Sequence, residues 1–256
     1  MKHIVISLIF VFAAFAAGAV TPAAADSAYS KENYDEAIVL YNSLLGERGR
    51  SAEIYYNLGN AYYRKGEIGN AVLSYERALR VNPSHADARA NLAFVNSRLE
   101  DRPEDNNSFL TRLHRSVVLS MSADAWAWIA LTSFVLLCAA VALYIFSANV
   151  TLRKLGFFGA FVLLVLTVYF VVVAINAASH FIDHSEAVVT APSTLLNSAP
   201  RQPGNTEKVV PLHEGTKVEI IDSIATPDDP VSPMWYNVRI NGSASAWLRA
   251  TDVERI

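Results

Sequence analysis

His180 and His184 stand four residues apart with Asp183 between them, a spacing that sets two imidazoles on one helical face as metal ligands. No other ligand cluster stands nearby, and polar residues at a helix exit explain the pair equally well, so no metal or cofactor is expected. The single cysteine, Cys138, lies inside an apolar run and reads as a small hydrophobe rather than a nucleophile. Hydrolysis needs a nucleophile, a base and an orienting group that converge. The segments outside the apolar runs, rich in serine and poor in histidine, offer no such set, so no catalytic residue is expected. What remains is contact chemistry. Tyr56, Asn60, Tyr63 and Arg64, with Asn91 further along, bring aromatic rings, amides and a guanidinium. Trp235, Asn237 and Arg239, with Trp247, repeat that mixture in an alternating pattern.

The first set needs helices to carry it. Ala37, Ile38, Tyr41, Leu44 and Leu45 recur 34 residues later as Ala71, Val72, Tyr75, Ala78 and Leu79, each group on one helical face. Tyr55, Leu58, Gly59 and Tyr62 precede the second copy, Lys65-Gly66-Glu67 makes the turn, and Pro83 marks the stop. Gly59 and Ala71 let two antiparallel helices approach while tyrosines fill the flanks. From Ala52 to His85 these positions resemble the tetratricopeptide consensus, which implies an array that holds an extended peptide or helix on its first-helix face, with Tyr56, Asn60, Tyr63, Arg64 and Asn91 as the contact candidates. The array is expected over residues 26–101, with a partial repeat before and a helix after the full one. Arg89 and Asn96 on that last helix suit a water-facing cap. Fewer than three full repeats are marginal alone, so Phe109 to Met121 or a partner is expected to complete the packing. A lysine is wanted at Tyr56 for gripping a chain terminus, and none stands there.

Lys2, the apolar stretch Ile4 to Ala17, Gly18, Pro22 and the alanines ending at Ala25 read as a secretory signal over residues 1–25. Ala125 to Leu152 and Leu155 to Ile182 contain no Asp, Glu, Lys or Arg, and each exceeds the roughly 20 residues of a bilayer crossing. Spans are expected over 123–147 and 156–180, after a juxtamembrane segment at 102–122. Ser122 and Asp124 suit the first helix start, and Trp126 and Trp128 suit interface depth. The loop 148–155 carries Arg153 and Lys154 with no acid, which puts it in the cytoplasm and both soluble domains in the periplasm of a bacterial inner membrane. Arg112 and Arg115 argue mildly the other way, but export of the N-terminal domain dominates. Lys and Arg number 21 against 24 Asp and Glu, so the chain has no strong field for nucleic acid.

The second set of contact residues needs strands. Short β-rich runs are expected at Glu186 to Ala191, Lys208 to Leu212, Lys217 to Ser223, Met234 to Ile240 and Ser245 to Leu248, with a hairpin at Asn241-Gly242. A closed or nearly closed small β-barrel is the economical form over 186–256, because closure removes exposed edges. Alternation turns Tyr236, Val238 and Ile240 to a core and leaves Trp235, Asn237 and Arg239 outside, with Trp235 facing a ligand. The loop Ala225 to Pro233, with Pro227 and Pro230, reads as a rigid insertion beside that face. His213 to Val218, Trp235 to Val238, Trp247 and Asp252-Val253 resemble a bacterial Src-homology-3-type (SH3b-like) domain, which implies binding of cell-wall peptides or proteins. Arg249 stands where that pattern has proline and Ala246 where it has glycine, which speaks against a polyproline groove.

The sum is a multi-domain membrane protein: all-α tetratricopeptide repeats, two transmembrane helices and a small all-β barrel. The Tyr55 to Tyr63 repeat, the Trp126-Ala-Trp128 span, the Leu152 to Phe158 loop and Glu214 to Val218 together resemble the tetratricopeptide member of the Bacteroides aerotolerance (Bat) family. That resemblance implies an envelope complex with von Willebrand A-type partners and a MoxR-type ATPase. The expected function is a non-enzymatic membrane-anchored scaffold; a peptidoglycan-binding sensor acting through the barrel is the alternative.

Overall fold

The computed structural model describes residues 20–101, 108–182, 185–201, 209–226, 232–240 and 245–256. The start of the signal, the side chains of His180 and His184, Pro227, Pro230 and the Asn241-Gly242 turn lie outside the described residues. Helices α1 (Pro22–Ser30) to α5 (Ala86–Asn96) form the array, with α2 Tyr34–Arg48, α3 Ala52–Lys65 and α4 Ile68–Val81. Their ends are chemically marked. Ser51 caps α3 through the Ile54 N–H, and Gly66 closes it at φ +90°, in the left-handed region that favours glycine. The expected cut after Ala25 falls inside α1, where Ala25 is buried against α2 and α3. Ala37, Ile38, Tyr41 and Leu44 are buried, as are their counterparts Ala71, Val72, Tyr75 and Ala78. A Cβ on Gly59 would sit 2.7 Å from the Tyr75 ring, which is why that position is glycine.

After α6 (Phe109–Val118), helices α7 (Ala123–Phe146) and α8 (Val150–Ile182) form a hairpin. Ser122 accepts the Ala125 N–H at the start of α7, and Asp124 sits in the first turn, as their types predict. The connection is shorter than expected. Only Ser147 to Asn149 separate the helices, and Arg153 and Lys154 belong to the opening turns of α8. Gly156 lies where a Cβ would meet the Tyr144 backbone nitrogen at 2.7 Å, so the helices touch backbone to backbone near the turn. At the other end Trp126 stacks on Phe170 with centroids 6.0 Å apart. Midway, Ser133 and Thr167 share a 2.9 Å hydrogen bond. Both helices are long and apolar enough to cross a membrane, and only 11% of each apolar window is buried, unlike the core helix of a soluble protein.

The described residues of the C-terminal part form seven strands: β1 Glu186–Val189, β2 Ser193–Leu196, β3 Val210–His213, β4 Lys217–Ala225, β5 Met234–Arg239, β6 Ala246–Arg249 and β7 Val253–Arg255. Of the closed or nearly closed barrel expected, closure is not seen among the described residues. One antiparallel sheet runs β6-β5-β4-β1-β7 with β6 and β7 as its ends, and β2-β3 form a separate ribbon. The ribbon meets β6 through reciprocal backbone hydrogen bonds of 2.7 and 2.8 Å between Asn197 and Trp247. Buried Asp252 organises the corner, its carboxylate accepting from Thr194 Oγ1 at 2.5 Å and Arg249 Nε at 2.8 Å.

On the last array helix Arg89 is exposed and Asn96 partly so, while its apolar side is covered. Leu73 and Tyr75 of α4, and Leu92, Val95 and Leu99 from α5 and beyond, share one hydrophobic cluster with Val188 and Ile256 of the β module. A Cβ on Gly69 would approach the Val189 carbonyl oxygen at 2.6 Å, so α4 can lie this close to β1 only with glycine there. Arg89 donates to the Pro83 carbonyl and, at 3.1 Å, to that of Leu119, tying α5 to the turn before α7. The β module therefore supplies the packing that the short array lacks.

Candidate functional site

The seam between α4 and the β module is dominated by charge. Arg80 Nη2 lies 3.2 Å from Glu186 Oε2, with the Arg80 side chain only 8% exposed. Lys217 Nζ reaches Glu186 at 3.1 Å and Glu76 at 3.4 Å, while Arg115 approaches the other Glu186 oxygen at 3.7 Å. Burial works against the Lys217 ammonium, but the Glu76 and Glu186 carboxylates outweigh it and hold its pKa above the ordinary lysine value. Arg77 donates to Glu254 and to the Arg255 carbonyl, the Gly69 N–H donates to Glu214, and the His213 N–H donates to Asp101. These groups come from distant parts of the chain, and their pairing makes α4 the inner face of the molecule.

The other face of the array carries the sequence-predicted contact residues, and the structure divides them. Asn60 is half-buried: its Oδ1 accepts from the Tyr75 hydroxyl at 2.7 Å and from Asn91 Nδ2 at 2.8 Å, so Asn60 and the half-buried Asn91 bridge α3 to α4 and α5. Burial raises the Tyr75 pKa, keeping the hydroxyl protonated as the donor. Tyr56 is half-buried, its ring 5.0 Å from that of His85 and 6.2 Å from Tyr75. Arg64 is exposed, and Tyr63 is half-buried against the array core. Tyr63 packs edge-on to Phe94 with centroids 6.0 Å apart, and the Arg64 guanidinium lies 5.5 Å from the Tyr34 ring centre.

Sequence reasoning missed Tyr34, Phe94 and Arg98. Phe94 is 46% exposed, and the Arg98 guanidinium sits 4.0 Å over its ring. The result is a stripe of aromatic and guanidinium groups, Tyr34, Arg64, Tyr63, Phe94 and Arg98, along the first-helix side of the array. The signal was present: the 34-residue period carries Asn60 to Phe94 and Arg64 to Arg98. Rigid aromatics and arginines are the side chains that anchor protein contacts at low entropic cost.

On the β module the alternation holds in part. Tyr236, Val238 and Ile240 do pack in the sheet core. Trp235 stands on the opposite side but is 1% exposed, so the expected ligand-facing tryptophan is corrected to a buried one. Arg239 is exposed and paired to Glu219 at 3.3 Å. Trp247 is half-buried in register with Asn237, whose Oδ1 is buried with no hydrogen-bond partner. The four residues therefore do not form one open surface. Among the described residues no group of three or more His, Cys, Asp or Glu is placed to hold a metal ion.

Comparison with known families agrees with the helical geometry. A tetratricopeptide repeat model matches residues 52–85, and a TPR repeat model matches residues 25–66. Tetratricopeptide repeats are thus present in this chain, and such repeats are generally protein-binding, non-enzymatic adaptors. No curated protein matches the chain.

Proposed function

We propose that the protein is a non-enzymatic, membrane-anchored scaffold that binds protein partners in the bacterial envelope through the first-helix face of its repeats. The observation that carries the reading is the division of the array's two faces: α4 is occupied by the chain's own β module, while Phe94, Arg64 and Arg98 are exposed beside the half-buried Tyr63. Helices α7 and α8 anchor this body in the inner membrane, with the repeats and the β module both periplasmic. The sequence resemblance to BatE suggests the partners: von Willebrand A-type Bat membrane proteins and a MoxR-type ATPase in an aerotolerance or envelope-stress complex. The test is crosslinking and mass spectrometry of native membranes with the wild-type chain and the double variant Tyr63→Ala, Phe94→Ala. The reading expects the variant to lose the co-purifying proteins; an unchanged set counts against the stripe. The second reading, a cell-wall sensor, draws on the resemblance of the β module and the half-buried Trp247. It expects retention of the purified chain on sacculi, which the scaffold reading does not require.

A further inference from the structure

Helix α6 has an apolar side that no part of the described chain covers. Phe109 is 68% exposed, Leu110 73% and Leu113 51%. With Val117 they fall within an arc of about 100° on the helix, while Thr111, Arg112, Arg115 and Ser116 occupy the remaining arc. The surroundings fix how this helix is turned. On one flank His114 lies 3.0 Å from Asn176 and 6.4 Å, centre to centre, from the Tyr169 ring. Val118 packs in one cluster with Trp126 and Val173. On the arc away from the apolar residues, Arg115 reaches up to Glu186 of the β module. The apolar side thus points away from the soluble body and beside the outer ends of α7 and α8.

Depth along the hairpin agrees. Tyr169 neighbours Phe170, which stacks on Trp126, so α6 crosses at the level of the first turns of α7. From Ala123 to Trp128 a helix advances about 8 Å, within the roughly 5–10 Å to which in-plane helices bury their apolar face. On the hairpin itself Trp128, Leu131 and Ile175 are also exposed.

We propose that α6 is an in-plane interfacial helix whose Phe109, Leu110 and Leu113 are covered by bilayer lipid, setting the height and tilt of the repeat array above the membrane. This rests on the reading of α7 and α8 as spans. The test uses the full chain carrying Cys138→Ala, reconstituted in vesicles of phosphatidylethanolamine and phosphatidylglycerol, with one nitroxide on each of Leu110→Cys, Leu113→Cys, Ser116→Cys and Val165→Cys. Collision with oxygen and with a water-soluble nickel chelate is read by electron paramagnetic resonance. At L110C and L113C oxygen collisions exceed nickel collisions, as at V165C, and the ratio is reversed at S116C. Nickel-dominated collisions at L110C and L113C, with V165C still in lipid, overturn the inference, as does shielding from both reagents, the mark of a protein partner. Nickel-dominated collisions at V165C instead overturn the span reading, and this inference with it.

Discussion

The two faces of the repeat array are built from the same 34-residue unit and have opposite fates. On the α4 side, ion pairs among Glu76, Arg80, Glu186 and Lys217 surround an apolar contact with Val188 and Ile256. On the first-helix side, Tyr63, Phe94, Arg64 and Arg98 are held by one another and by water. The first is a fold contact, in which each charge has a fixed partner. The second has the composition of an interface waiting for one.

Breaking the seam gives the largest effect. Arg80→Met leaves Glu186 with one buried partner fewer, and removal of one member of a buried pair costs about 3–5 kcal/mol. Thermal unfolding of the detergent-extracted chain should drop accordingly, whereas a change within 0.5 kcal/mol, roughly the level of surface substitutions, would make the seam incidental. Gly69→Ala, which pushes a Cβ into the Val189 carbonyl, should cost about 1–3 kcal/mol and raise amide exchange in β1 before it does so in α2.

A third expectation is alkaline. The folded pKa of Lys217 is raised, so its contribution is fully present below the ordinary lysine value of about 10.4 and is lost as pH rises through the folded value. The unfolding free energy from denaturant titration should therefore fall on this account only above that pH, and Lys217→Met should flatten the alkaline limb. Smallest in stability is the open face. Phe94→Ala should change unfolding by less than about 1 kcal/mol, since half the ring is already in water, while weakening partner capture.

The array was legible because small residues and tyrosines recur at fixed spacing, and Gly59 against Tyr75 is the contact that spacing foretold. The two long apolar helices were legible from the lack of charge, although Arg153 and Lys154 were placed in a loop and are helical: a charged residue at a helix start looks the same in sequence as one in a turn. The bridge of Asn60 and Asn91 to Tyr75 was not legible, because an amide in an amphipathic helix carries no mark of its partner. Strands β2 and β7 are too short to show alternation. Alternation told which side of the sheet Trp235 takes and nothing about whether that side is covered. The seam was invisible because Glu76 and Lys217 meet only once the chain has crossed and recrossed the hairpin.

Labelling of Val39→Cys and Arg239→Cys, each in a Cys138→Ala chain, tests the arrangement most directly. Both positions are exposed, one on the array and one on the β module. With a membrane-impermeant maleimide on intact spheroplasts, both sites should react at comparable rates before lysis. Reaction at one site alone would place the two domains on opposite sides of the membrane and contradict the seam; reaction at neither until lysis would contradict the outward orientation.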